Sequence, residues 1–116
     1  MHRYNMNKDD AYYIQNIVEF GHKIMSLLQK HTRTTYDTDE VIRTAITHWI
    51  QVIGEASSHL SKAFQDQHHH IEWHKIIAMR NRIVHDYLGI DDEIVWETAT
   101  KRIPELVKYL ENLSAS

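Results

Sequence analysis

Residues 80 to 87 read Arg-Asn-Arg-Ile-Val-His-Asp-Tyr. Three of these side chains, Arg80, His85 and Tyr87, carry distinct chemistry. A guanidinium is a permanent cation whose flat fork grips an oxyanion through two parallel N–H bonds. An imidazole accepts or gives a proton near neutrality. On a helix advancing ~100° per residue, Ile76, Ile77, Ile83, Val84 and Tyr87 fall within about 80° of Trp73. Arg80 falls in the middle of that apolar stripe, where a charge is costly unless paired. Two alternatives follow. Either Arg80 meets an acid inside the fold, with Glu55 a candidate, or it lines a cleft where polar groups gather. Tyr87 shares the face of Arg80, whereas His85 lies roughly 140° around. One ideal helix does not converge Arg80 and His85 on a small ligand. A two-fold pair of chains would bring the two sets together, and fraying of the last turn would swing His85 inward.

Other groupings are weaker. His68, His69 and His70 with His74 suggest a metal cluster, since positions 70 and 74 have the i, i+4 spacing of shared ligands. No third carboxylate or cysteine ligand accompanies them, and solvated loop histidines are the plainer account. Lys75, Arg80 and Arg82 with His74 and His85 make this segment locally basic, which would gather phosphates or form a solvated face. Trp49 and Trp96 read as core or interface residues rather than stacking platforms. Glu55, following Gly54 within an apolar stripe, reads as a structural partner or a cleft residue.

These residues need rigid elements to position them, and the sequence supplies helices. Three glycines and one proline among 116 residues are too few for the turns of a β-sandwich or barrel. The length fits one domain spanning residues 1–116. Cysteine is absent, which excludes disulfide scaffolds, zinc-thiolate sites and cysteine nucleophiles. The net charge of −3 argues against holding nucleic acid by bulk charge alone, although ten histidines would reverse its sign if protonated. The polar start and the lack of an apolar run near ~20 residues point to a cytoplasmic protein without membrane contact.

Apolar periodicity predicts four main helices. The first runs from about Asn7 to Lys30, capped by Asn5 or Asn7, and His31 to Asp37 reads as a loop. The second begins near Asp37 or Asp39 and keeps its stripe to Phe64, with Gly54 inviting close helix approach. Gln65 to His70 reads as a polar loop. The third helix spans about Glu72 to His85 or Tyr87, followed by a turn in which Gly89 is expected to be a left-handed cap. Asp91 caps the fourth, whose Ile94, Val95, Trp96, Ala99 and Ile103 should face inward. Pro104 should kink or restart that helix, and residues 114–116 should fray.

The run Arg80-Asn81-Arg82-Ile83-Val84-His85-Asp86-Tyr87 resembles the R-x4-H-x-Y signature of the HEPN superfamily, specifically its HepT-like toxins. Val52-Ile53-Gly54-Glu55-Ala56, Trp73 through Asn81, and Gly89-Ile90-Asp91 with Ile94-Val95-Trp96 extend the likeness over nearly the whole chain. Glu72 stands where such proteins often have proline, and Ala78 where glycine is common. Neither change touches a proposed catalytic side chain.

The resemblance implies an all-α HEPN-type bundle of four to five helices, a homodimer with its active-site cleft at the interface. It implies a toxin ribonuclease that needs neither metal nor cofactor. RNA is cut when its own 2′-hydroxyl attacks the adjacent phosphate, which needs a proton acceptor and a proton donor. His85 is then general base or acid, and Arg80 clamps the phosphate as charge builds. Asn81 would orient the phosphate or His85. Tyr87 would pack its ring, contact RNA, or accept AMP from a cognate nucleotidyltransferase antitoxin, a mark that would fill the anion site and exclude RNA. A second reading, from another class, is a non-catalytic module that binds nucleotide and docks a nucleotidyltransferase; fold alone does not separate the two.

Overall fold

Asn7 opens the first helix, α1 (Lys8–Gln29), its side-chain oxygen accepting from the Asp10 amide at 2.7 Å. The computed structural model describes residues 7–115, so the alternative cap at Asn5 lies outside the described residues. Ile14, Ile17, Gly21 and Ile24 form the buried face of α1, as the periodicity predicts.

The expected loop after α1 contains a short helix, α2 (Arg33–Thr38). Thr32 caps it, accepting from the Thr35 amide at 3.2 Å. Arg43 closes the other end, donating to the carbonyls of Tyr36 and Asp37 at 2.9 and 2.7 Å. Threonines are weak helix formers, but burial of Tyr36 and satisfaction of both helix ends override that preference. The Tyr36 hydroxyl donates to the Asp92 carbonyl at 3.0 Å, and burial pushes its phenol well above the usual range.

Asp39 caps α3 (Glu40–Ser58). The helix stops short of the expected Phe64. Ser57 and Ser58 turn their hydroxyls back onto the Ile53 and Glu55 carbonyls at 2.8 and 2.7 Å, competing with the ladder. Ser61 then starts α4 (Lys62–Gln67), capping the Phe64 amide at 3.1 Å. Ser61 is itself held by the buried Asp10 carboxylate, which accepts from its amide at 2.8 Å and its hydroxyl at 2.7 Å. Leu60 and Phe64 stay buried across the break, which is why the stripe looks continuous in sequence.

The third long helix, α5 (Trp73–His85), ends at Asp86, and a 3₁₀ turn follows over Tyr87–Gly89. No described glycine has positive φ. Gly89 is therefore not the left-handed cap expected of it. Its missing side chain instead admits the Asp86 carboxylate, which a Cβ would overlap. Asp91 caps α6 (Asp92–Glu97) as expected. A π-helical turn over Thr98–Arg102 leads into α7 (Ile103–Ala115). In that turn the Ile103 amide reaches the Thr98 carbonyl, five residues back. Pro104 then falls in the first turn of α7, where its missing donor is tolerated. The expected restart at Pro104 thus takes the form of a π turn. Helix α7 extends through Ala115, into the segment expected to fray, and residue 116 lies outside the described residues.

Helix α3 is the spine. It packs against α1 on one side and α5 on the other, and α1 also meets α7. The core is rich in isoleucine, with Ile17, Ile24, Ile46, Ile50, Ile53 and Ile83 fully buried. Val95, Ala99 and Ile103 face inward as predicted, but Ile94 is 41% exposed. The described residues contain no strand, and no helix among them is long and apolar enough to cross a membrane.

Candidate active site

The site grows from the contact between α3 and α5. A Cβ at Gly54 would overlap the Cβ of Arg80 and lie 3.1 Å from the Ile76 carbonyl oxygen. Only glycine lets the two helices approach this closely, and the Arg80 stem fills the resulting groove. The buried residues of α5 are Trp73, Ile76, Met79 and Ile83. Met79 lies deeper than its spacing suggested, and Val84 is 46% exposed. The buried centre is therefore turned by some tens of degrees from the expected one. Arg80 flanks the stripe instead of occupying its middle.

From that flank Arg80 reaches the expected acid. Its Nη2 lies 2.5 Å from Glu55 Oε1, and its Nη1 donates to Asn81 Oδ1 at 2.7 Å. The side chain keeps 30% exposure. Its Nε is buried and has no hydrogen-bond partner among the described residues. The first sequence alternative, pairing with Glu55, is thus realised, at an edge that leaves the Glu55 side chain 45% exposed. Glu55 Oε2 meets His59 Nε2 at 3.0 Å. The His59 hydrogen bond, with Arg80 adding to it, holds the Glu55 carboxyl below the usual carboxylate range against partial desolvation.

His59 was not singled out in the sequence. Its signal was legible, because it stands four residues after Glu55 on one helix, the spacing at which such pairs meet.

His85 is the last residue of α5, exposed, with no hydrogen bond or ion pair to another described residue. It lies five residues beyond Arg80, about 7.5 Å along the axis and on a different face. A single chain does not bring the two together. Tyr87 does not share the face of Arg80, because the helix ends before it. Tyr87 is 46% exposed. It lines a shallow cleft of about 230 Å³ with Arg43, Thr44 and Thr47 of α3 and its neighbour Leu88.

The local basic charge is smaller than the sequence suggests. Lys75 pairs with Glu72 at 3.1 Å, whose other oxygen meets Arg102 at 3.2 Å. Arg82 is exposed without an ion-pair partner among the described residues. The histidine run does not form a metal cluster. His68 is buried, with Nδ1 2.6 Å from the Tyr109 hydroxyl, while His69 and His70 are exposed. Among the described residues no three His, Asp or Glu side chains group as metal ligands. Burial, with His70 nearby, pushes the His68 imidazole below its usual value. Trp49 and Trp96 are partly buried against the core, consistent with packing roles. Trp96 lies 4.9 Å from the Tyr36 ring and under the Arg33 guanidinium at 5.1 Å.

The all-α bundle, with Arg-Asn in the body of one helix and His at its end, is of the HEPN type. The family model for "Ribonuclease HepT-like" proteins matches residues 15–113, and the chain belongs to that family. It is 30% identical to a protein of Caldanaerobacter subterraneus subsp. tengcongensis named provisionally as an RNase, over 87% of this chain and 90% of that one. It is 28% identical to the "Probable ribonuclease HepT" of Thermococcus cleftensis, over 93% of this chain and 98% of the relative. A Methanocaldococcus jannaschii protein, also named provisionally as an RNase, is 28% identical over 91% of this chain and 88% of its own. No solved structure matches significantly.

Proposed function

We propose that this chain is a metal-independent ribonuclease, a single domain over residues 1–116 that works as a homodimer. The observation that carries this reading is the anchored Arg80 guanidinium, fixed by Glu55 and Asn81, on the same helix as an unengaged His85. The family match and the relatives named as ribonucleases support it.

In the proposed reaction one imidazole accepts the proton of a 2′-hydroxyl as its oxygen attacks the neighbouring phosphorus. The P–O5′ bond breaks, and a second imidazole protonates the leaving oxygen. The products are a cyclic 2′,3′-phosphate and a 5′-hydroxyl. Two His85 side chains related by a dimer axis would supply both functions. Arg80 holds the phosphate, whose oxygens gain charge in the transition state. Asn81, expected to orient the phosphate or His85, would instead position Arg80, from which its side-chain oxygen accepts.

The same reading makes the chain the toxin of a toxin–antitoxin pair acting in the cytoplasm. Its partner would be a cognate nucleotidyltransferase that adenylylates Tyr87. The exposed phenol would attack the α-phosphorus of ATP and displace pyrophosphate. The test is intact mass followed by RNA cleavage in chelator. Unmodified wild type should cut, and His85→Ala should not, with the same melting profile. Unmodified protein that binds nucleotide but leaves a broad RNA panel uncut would replace this reading with the docking module.

A further inference from the structure

Beside the Glu55–Arg80 pair, between α1 and α3, runs a groove of about 380 Å³. That volume lies within the roughly 300–1,000 Å³ of small-molecule sites. One wall carries Tyr12, Tyr13 and Asn16 of α1, and the other Gln51, Glu55 and His59 of α3. Glu55 thus belongs both to the groove and to the Arg80 anchor, 2.5 Å from its guanidinium.

The lining suits a nucleobase. Tyr12 is 60% exposed, and its ring meets Tyr13 edge-on at 5.1 Å. Tyr13 stacks on the His59 imidazole at 5.0 Å, with the planes only 15° apart. Three flat rings therefore line one strip of surface, two of them on α1 and the third on α3. Single-stranded nucleic acids stack their bases on such rings. Asn16 and Gln51 are both half-buried, and neither makes a side-chain hydrogen bond to a described residue. A half-buried amide without a protein partner keeps its donor and acceptor for a ligand. Paired amides of this kind match the mixed donors and acceptors along a base edge.

We propose that the α1–α3 groove is a nucleobase subsite for single-stranded RNA. It stacks one base on the exposed Tyr12 ring, with the Tyr13–His59 pair standing edge-on to it as the wall of the subsite, and reads that base's edge with Asn16 and Gln51, while Arg80 holds the neighbouring phosphate. The proposal rests on the ribonuclease reading and adds to it a determinant of which sequence is cut.

Binding is measured apart from cleavage, using fluorescently labelled 2′-O-methyl oligonucleotides of A, C, G and U, which lack the attacking hydroxyl. Tyr12→Ala should weaken binding about 5- to 150-fold, the usual loss on removing a base-stacking ring, and Tyr12→Phe should restore it. Asn16→Ala and Gln51→Ala together should narrow the affinity differences among the four oligonucleotides. On cleavable RNA, Tyr12→Ala should raise KM and leave kcat near wild type. Wild type that cuts RNA while these variants keep its affinities and ranking overturns the subsite alone. Wild type that neither binds nor cuts RNA overturns the ribonuclease reading and the subsite with it. If Tyr12→Ala changes the sedimentation of the protein and not its RNA affinity, the groove is a contact between copies and the proposal fails.

Discussion

Replacing Gly54 with alanine tests whether the α3–α5 contact sets the position of Arg80. The new Cβ would overlap the Arg80 Cβ and crowd the Ile76 carbonyl. Neither neighbour is the free end of a flexible side chain, so the helices must part. Restoring an ordinary carbon–carbon contact requires a shift of about 1 Å. Overpacking of this kind costs roughly 1–3 kcal/mol. Alanine returns about 1 kcal/mol through its better helix propensity. The net expectation is a loss of about 1 kcal/mol, or about 4 °C in melting temperature for a domain of this length. The same shift draws the guanidinium from Glu55, now 2.5 Å away. A misplacement of about 1 Å at a catalytic group can reduce turnover about 100-fold. Thermal unfolding by circular dichroism and RNA cleavage well below the transition give the two readings. Gly21→Ala is the control, because its Cβ would strike Val107 across the α1–α7 contact; it should lower stability and spare activity. If Gly54→Ala melts higher than wild type and cuts RNA normally, the close contact does not position Arg80.

Three further outcomes are expected. Asp10→Ala leaves the Ser61 amide and hydroxyl without their acceptor, which should cost about 1–3 kcal/mol in denaturant unfolding while activity persists. The folded-state carboxyl of Glu55 titrates below its ordinary value, so its contribution to stability is complete above that value and is lost as pH falls through the lower folded one. Melting curves of wild type and Glu55→Gln should therefore differ near neutrality and converge in acid. Because burial depresses the His68 imidazole, its contribution should fall as pH drops below the ordinary histidine value, and NMR should show His68 titrating at lower pH than wholly exposed imidazole.

Much of the architecture was legible because period and caps agree. Asn7, Asp39 and Asp91 open their helices where the sequence places them. The Arg80–Glu55 pair was legible from the cost of burying a charge on an apolar stripe. What failed depended on contacts distant in sequence. Helix α2 forms because Arg43 and Tyr36 satisfy and bury a threonine-rich segment. The break before α4 depends on Asp10 gripping Ser61, 51 residues away. Stripe arithmetic extended α5 to Tyr87, but the chain leaves the helix at Asp86. His68 resembled its two exposed neighbours until its ring was found buried against Tyr109. The separation of Arg80 from His85 followed directly from helical geometry, because both sit on one continuous helix.

The contrast between those two residues bears on which variants the proposed toxin reading would select. His85 stands in solvent at a helix end, so losing its imidazole leaves the fold untouched. Arg80 fills the space over Gly54, and truncating it opens a void between two core helices and removes one of the two partners of the Glu55 carboxylate. On that proposed reading, cells forced to express the chain alone should accumulate soluble, full-length survivors with changes at His85. Survivors altered at Arg80 should more often be recovered as degraded or insoluble protein. An inert version for studying partners is better made at position 85, where the surface presented to them is otherwise unchanged.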